Sequence, residues 1–318
     1  MALDSPPKLT RKRFIGVAAE TTTGTPATVN ASNATMPAFG EIPIIKNSTE
    51  PVRREPFGGL SPVTQAIGAR SGTATFETEL VGNGASGNAP WTVLLSGCGY
   101  TNTGGIWAPV DGATTTLTIV EWIDGRQKTL SGCMGTFSLA IRRGQKVRVR
   151  WTFTGVQQPP ADASDPTPTY FSVVAPRAGT SNFTLFSQTG LHFPDINIDA
   201  GNSVILREDT NAVDTNGVAT GFRAAYITER QPMLRLAPEA LSLATVNWFA
   251  DYLATTQGAF SVKVGAASNN NFTFAAPAVQ LVRDPNEQDR NRMLVDGLEL
   301  QCNRNSSAGQ DEFTITQA

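Results

Sequence analysis

"TLTIVEWIDGRQKTLSGCMG", residues 116–135, decides the fold class. Two runs of strand formers meet at Asp124-Gly125, a pair that tolerates the positive φ needed at both central residues of a type I′ turn. The stretch is read as a β-hairpin, and neither of its strands carries an obvious reactive group.

The same reading extends along the chain. In "KVRVRWTFTG" (146–155) Val147, Val149, Trp151 and Phe153 alternate with Arg148, Arg150, Thr152 and Thr154, a period of two that predicts one dry and one wet strand face. Weaker alternation marks "TATFETEL" (73–80), "DINID" (195–199), "FSVKV" (260–264), "GLELQC" (297–302) and "EFTITQ" (312–317). Two segments break the rhythm. "LATVNWFADYLATT" (243–256) repeats Val246, Phe249, Ala250 and Leu253 at helical spacing, and "APWTVLLSGCG" (89–99) predicts a shorter helix with Pro90 near its start and Gly97 near its end. Each helix is expected to close one side of a sheet layer.

Composition bounds the rest. The chain has 318 residues, 40% of them hydrophobic, enough for a sizeable core and two domains. A formal net charge of −2 excludes a general affinity for phosphate backbones. No apolar run is long enough for a signal sequence or a membrane span, so a soluble protein made in a cytoplasm is expected. The 3 cysteines, Cys98, Cys133 and Cys302, are far apart and are read as free buried thiols. With a single histidine, no metal site is assigned. The proline- and aspartate-rich "TGVQQPPADASDPTPTYF" (154–171) predicts a linker or long connection. The polar tracts 21–37 and 83–90 are expected to be mobile until something packs on them.

An internal echo follows. "EIPIIKNSTEPVRRE" (41–55) aligns with "DINIDAGNSVILRE" (195–208). Arg70 opens a segment ending in Glu79 as Arg230 opens one ending in Glu239, and a helix with Trp91 or Trp248 comes next. "TFSLAIRRGQKVRVRWTFTG" (136–155) aligns with "GLELQCNRNSSAGQDEFTITQA" (297–318). The shared order points to a duplicated unit.

Three stretches then carry a resemblance: "FIGVAAETTTGTPAT", "RREPFGGLSPVTQAIGARSGTATFETELVGNGASGNAPWTVLLSGCGY" and "WIDGRQKTLSGCMGTFSLAIRRGQKVRVRWTFTG". In order, over residues 14–156, they resemble the tail tube proteins of long-tailed bacteriophages. The two specific runs are G-x-G-x-x-G-x-A-P-W-x-x-L-L-x-x-C-G-[YF] and I-D-G-x-x-x-x-L-x-G-C-x-G-[TS]. The resemblance implies a mainly β chain with two tandem tail-tube-type β-sandwich or barrel domains, each with a flanking α-helix. Residues 1–156 would form the first domain with an N-terminal arm, 157–175 a linker and 176–318 the second domain. The second half lacks the glycine-rich loop and the Gly-Cys hairpin of the first.

The implied function is a structural virion protein whose copies form stacked rings, the tail tube that conducts the genome into the host. A two-unit chain implies a homotrimer with six-fold pseudo-symmetry in preference to a hexamer. Tape measure, tail terminator and tail tip proteins are the implied partners, DNA passes through the lumen without specific binding, and assembly takes place in the host cytoplasm. Loops 21–37 and 83–90 are expected at contacts between rings. The alternative is a tail-tip or fibre module that binds a host-surface carbohydrate.

No catalytic, cofactor-binding or metal-ligating residue is assigned. "IRRGQKVRVRW" (141–151) is the one basic cluster, but its wet face has no aromatic to stack bases, and pairing with acidic groups of a neighbouring subunit or solvation serves as well. "GNGASG" (82–87) lacks the Gly-Lys-Ser/Thr ending of a phosphate loop. A hydrolytic triad would have to pass through His192 in "GLHFPD", which reads as buried or part of a turn. Glu77 and Glu79 share a strand face, where solvation or pairing with arginine is expected over acid-base chemistry.

Overall fold

The computed structural model describes residues 7–52, 66–84, 87–170, 172–178 and 182–318. In chain order, β1 (Arg13–Ala19), β2 (Ala38–Phe39), β3 (Ile45–Val52) and β4 (Ala66–Glu79) precede a 3-10 turn at Pro90–Thr92 and helix α1 (Val93–Gly97). There follow β5 (Tyr100–Thr103), β6 (Ile106–Pro109), β7 (Leu117–Ile123), β8 (Arg126–Arg142), β9 (Arg148–Gln157) and β10 (Ala161–Asp162). Next come β11 (Phe183–Leu185), β12 (Asp195–Asp199), β13 (Asn202–Glu208), β14 (Phe222–Arg230), β15 (Met233–Leu236) and helix α2 (Trp248–Leu253). The chain ends with β16 (Gln257–Val264), β17 (Phe272–Leu281), β18 (Asn286–Arg290), β19 (Met293–Asn303) and β20 (Thr314–Gln317). The expected mainly β architecture with short flanking helices is what forms.

The hairpin at 116–135 is present. β7 and β8 pair antiparallel from Ile123↔Arg126 to Leu117↔Cys133, and Asp124 and Gly125 take φ of 45° and 81°. β8 then runs on to a length of 17 residues and organises the molecule. One edge pairs with β9 and, beyond it, with β10, while the other meets β7 first and β12 later. Because β9 pairs with β4, β4 with β3, β12 with β15 and β15 with β19, one sheet runs β3-β4-β9-β8-β12-β15-β19 without a break. β19 continues it to β17 and β18, which lie along its far edge. Strands on both sides of the 157–175 segment thus share one sheet.

The buried face of this sheet holds the core. Val147, Val149, Trp151 and Phe153 point inward, as their alternation requires, and the Trp151 indole N–H donates to Thr78 Oγ1 at 2.9 Å. Trp91 from the turn before α1 lies 6.2 Å from Trp151 and 5.5 Å from Phe272, ring centre to ring centre. It therefore bridges the core of the first half to that of the second. Each such fully buried aromatic is worth roughly 1.5–3 kcal/mol over its exposed state. On the other side of β8, the hairpin β13-β14 packs against β8, β9 and β4, so residues 130–135 are buried on both faces and lose all alternation.

Several expectations change. α2 forms, but with only six residues, capped by the Asn247 side chain, which accepts from the Ala250 N–H. Val246 precedes it, so the stripe counted from that residue has the wrong phase. Trp248 is buried, whereas Phe249 and Leu253 are 51% and 66% exposed. His192 is exposed, and only its backbone carbonyl is tied down, accepting from the Glu239 N–H. The 21–37 tract is a strap on its own chain: the Ala27 N–H donates to Thr118 Oγ1, and Ala34 is buried with Val120 and Trp122. Residues 53–65, 85 and 86, which carry parts of the resemblance and of the 83–90 loop, lie outside the described residues. Among the described residues no helix is long and apolar enough to cross a membrane.

Candidate functional site

The face of the long sheet that turns away from the core is polar because alternation leaves it so. β4 contributes Glu77 and Glu79, β9 contributes Arg148 and Arg150, and β12 contributes Asp195, Asn197 and Asp199. This face is hollowed into a depression of about 760 Å³ that spans β4, β9, β8, β12 and β15. Among the described residues no aromatic side chain lines it.

Register brings opposite charges together. Glu77 stands across from Arg150 and Glu79 across from Arg148 in the β4-β9 ladder, and the pairs form on the diagonal. Arg148 Nη1 lies 3.8 Å from Glu77 Oε2, with its guanidinium 4.4 Å above the Phe39 ring. Lys146 Nζ lies 3.3 Å from Glu79 Oε1. Further along, Arg142 approaches Asp195 across the β8-β12 junction at 4.0 Å. Glu299 takes both Arg235 and Arg283, the latter at 2.9 Å. The hydrogen bond from Arg235 holds the Glu299 carboxyl below the usual carboxylate range, with the charges of Arg235 and Arg283 adding to it.

Arg142, Lys146 and Arg148 of the 141–151 cluster are therefore paired with acidic groups of their own chain. Glu77 and Glu79 both find cationic partners there. The structure adds Asp195, Asn197, Asp199, Arg235 and Glu299 to the same surface. Their alternation in "DINID" and "GLELQC" was visible, but only the pairing of β8 with β12 shows that both halves share one polar face.

The remaining candidates sit elsewhere. Cys98, Cys133 and Cys302 are free and buried. Burial pushes the Cys302 thiol up to about 12, with the charge of Glu312 contributing, and burial likewise raises Cys98 and Cys133. At the 82–87 loop, the Gly82 N–H is already bonded to Asn270 Oδ1 at 2.9 Å.

Among the described residues the run from β3 through β8 to β19 is bounded by two strands with one partner each, and β1, β2, β5, β10 and β11 elsewhere in the sheet likewise have one partner. β3 pairs only with β4, and β18 only with β19. At the start of β3 the N–H groups of Ile44 and Ile45 are held by the buried Glu121 carboxylate at 2.8 and 3.0 Å, and Lys128 Nζ reaches the Ile45 carbonyl at 3.4 Å. Its outer edge from Asn47 to Val52 carries Pro51, a residue suited to an edge because it has no N–H to donate. β18 is almost wholly exposed.

The chain is thus mainly β, with a continuous sheet, a charged outer face and strands with open edges. No curated protein matches the sequence. The family model described as phage tail tube protein matches residues 10–303. The chain belongs to the phage tail tube protein family, whose role is structural, as a self-assembling component of the virion tail.

Proposed function

We propose that three copies of this chain close into a ring with six-fold pseudo-symmetry, and that such rings stack into the hollow tube through which the genome passes into the host. The observation that carries this reading is the run β3-β4-β9-β8-β12-β15-β19-β18, whose first and last strands, β3 and β18, each have one partner among the described residues. Unpaired backbone groups at a sheet edge are a hazard for a free chain, and pairing them between copies turns that hazard into the assembly force.

The duplicated unit is supported by matching strand order. β4-β9-β8 runs as β15-β19-β17/β18 does, and β1-β7 flanks the first set as β11-β16 flanks the second, which sets β19 against β9 and corrects the alignment of 136–155 with 297–318, where β19 stood against the end of β8. We take the two units as domains at 1–156 and 176–318, joined through 157–175. Inside one chain the two units meet where β8 pairs with β12 and where β6 pairs with β20, so three chains offer three internal junctions and three between copies.

The concave polar face is assigned to the lumen. Arg148, Lys146 and Arg142 are answered by Glu77, Glu79 and Asp195, and Arg235 and Arg283 by Glu299, which reduces the positive charge that would trap a passing polyanion. Tape measure protein would occupy the lumen before DNA, and terminator and tip proteins would meet the ends of the stack. Assembly belongs in the host cytoplasm.

Electron microscopy of the purified protein tests the reading. Annular particles and hollow filaments are expected. A discrete species that never polymerises and binds an oligosaccharide would replace the tube with the tail-tip module.

A further inference from the structure

Resting on the ring reading, we infer that the N-terminal segment Pro7–Leu9 of one copy docks on the β18-β19 turn of the next, with Leu9 covering Leu294. The junction inside the chain supplies the template. There the segment ahead of β11, Pro176-Arg177-Ala178, lies along the β8-β9 turn: the Gly144 N–H donates to the Ala178 carbonyl at 2.8 Å and the Ala178 N–H to the Gln145 carbonyl at 2.9 Å. Arg177 forms a bridge with Lys146. Ala178 is left 4% exposed and Val147, beside the bridge, 0%.

The apolar members of that contact have counterparts whose side chains stand exposed. Pro7, Lys8, Leu9 and Phe14 repeat Pro176, Arg177, Ala178 and Phe183 at identical spacing, and Phe14 and Phe183 lie on the equivalent strands β1 and β11. Leu294 occupies the place of Val147, because the Ala240 N–H donates to the Leu294 carbonyl as the Leu80 N–H donates to that of Val147, both at 3.0 Å. Ala240 follows Glu239 as Leu80 follows Glu79. Yet Leu9 and Leu294 are each 53% exposed, and Met293 beside Leu294 is 44% exposed.

Two apolar side chains thus stand in solvent at positions that the same chain buries in its other unit. They belong to opposite ends of one junction: Leu294 opens the strand that pairs with β18, and Leu9 leads into β1 of the first unit. A second copy brings them together. The Leu9 N–H is already bonded to Asp124 Oδ2 at 2.7 Å and the Leu9 carbonyl accepts from the Lys12 N–H at 3.2 Å, so the contact between copies is made by the side chain and not by the backbone of Leu9. A short apolar hook would then do between copies what the covalent connection does within one.

The test compares three chains by electron microscopy and sedimentation. Leu9→Asp and Leu294→Asp alter exposed side chains, so each monomer is expected to keep its Tm while its association weakens about tenfold or more. A Leu9→Cys, Leu294→Cys double variant, assembled and then oxidised, is expected to give chains linked to one another, the native thiols being buried. Rings from Leu294→Asp at the normal yield, or assembled double variant without cross-links between copies, would overturn the junction and leave the ring standing. If the unsubstituted chain forms no ring, the tube reading itself falls, and the junction with it.

Discussion

Arg70 Nη2 lies 2.7 Å from Asp214 Oδ2, an ion pair whose side chains are 16% and 1% exposed and which fastens the loop between β13 and β14 to β4. The same guanidinium reaches the carbonyls of Val218 and Ala219, and Asp214 Oδ1 accepts from the N–H groups of Asn216 and Val218. Burial alone would raise the Asp214 carboxyl. The Val218 N–H, Arg70 and the Asn216 N–H together outweigh it and hold the group below the usual carboxylate range.

A depressed carboxyl contributes stability that is fully present above its unfolded value of about 3.9 and is lost as pH falls through the folded value. Asp214→Asn turns an amide toward Arg70 and is expected to cost about 3 kcal/mol at neutral pH. Thermal melts at decreasing pH check this: the gap to the unsubstituted chain narrows below about pH 4. A gap of constant size across that range would contradict the pairing.

Glu20 is a second anchor. Its carboxylate accepts from the N–H groups of Gly24 and Gly132, at 2.8 and 2.7 Å, and from the hydroxyls of Thr116 and Thr118. Glu20→Gln must point an NH2 group at two of these donors, a loss of about 1–3 kcal/mol. Limited proteolysis is expected to cut the variant within 21–37 much faster than the parent, because that strap starts at the broken clamp. Equal cutting rates would show that the strap is held from elsewhere.

Gly132 takes a φ of +58°, and a Cβ placed there would lie 2.8 Å from Ala224 Cα and Cβ. Gly132→Ala therefore pushes β14 off β8. Faster amide hydrogen exchange at Ala224 and Ala225 is the expected result, and unchanged protection of both would contradict it.

The buried thiols make a chemical prediction. With burial raising all of them, Cys98, Cys133 and Cys302 are expected to be silent to a thiol reagent at pH 8 in the folded chain and fully reactive in denaturant. Rapid reaction of any one in the native protein would place it at an accessible surface.

Local rules made much of the β framework legible. Asp124-Gly125 specified its turn through backbone sterics, and the Val147 to Phe153 alternation specified which side of β9 is dry. What failed were features set by distant contacts. The α2 stripe misled because Asn247 starts the helix one residue after Val246, rotating Phe249 and Leu253 outward. Residues 130–135 hid their coverage by β13-β14, since a strand buried on both faces has no alternation to read. The strap at 21–37 was polar enough to pass for a mobile arm, yet Glu20 and Thr118 give its backbone partners. The polar face was the hardest to see, because it exists only once β8 and β12 lie side by side.

A cryo-electron microscopy reconstruction of the assembled protein addresses ring closure most directly. The expected map has three chains per ring and a sheet that passes from β18 of one copy into the first unit of the next at about 4.8 Å between strands. Rings whose subunits meet through side chains alone, with β3 and β18 still facing solvent, would contradict it.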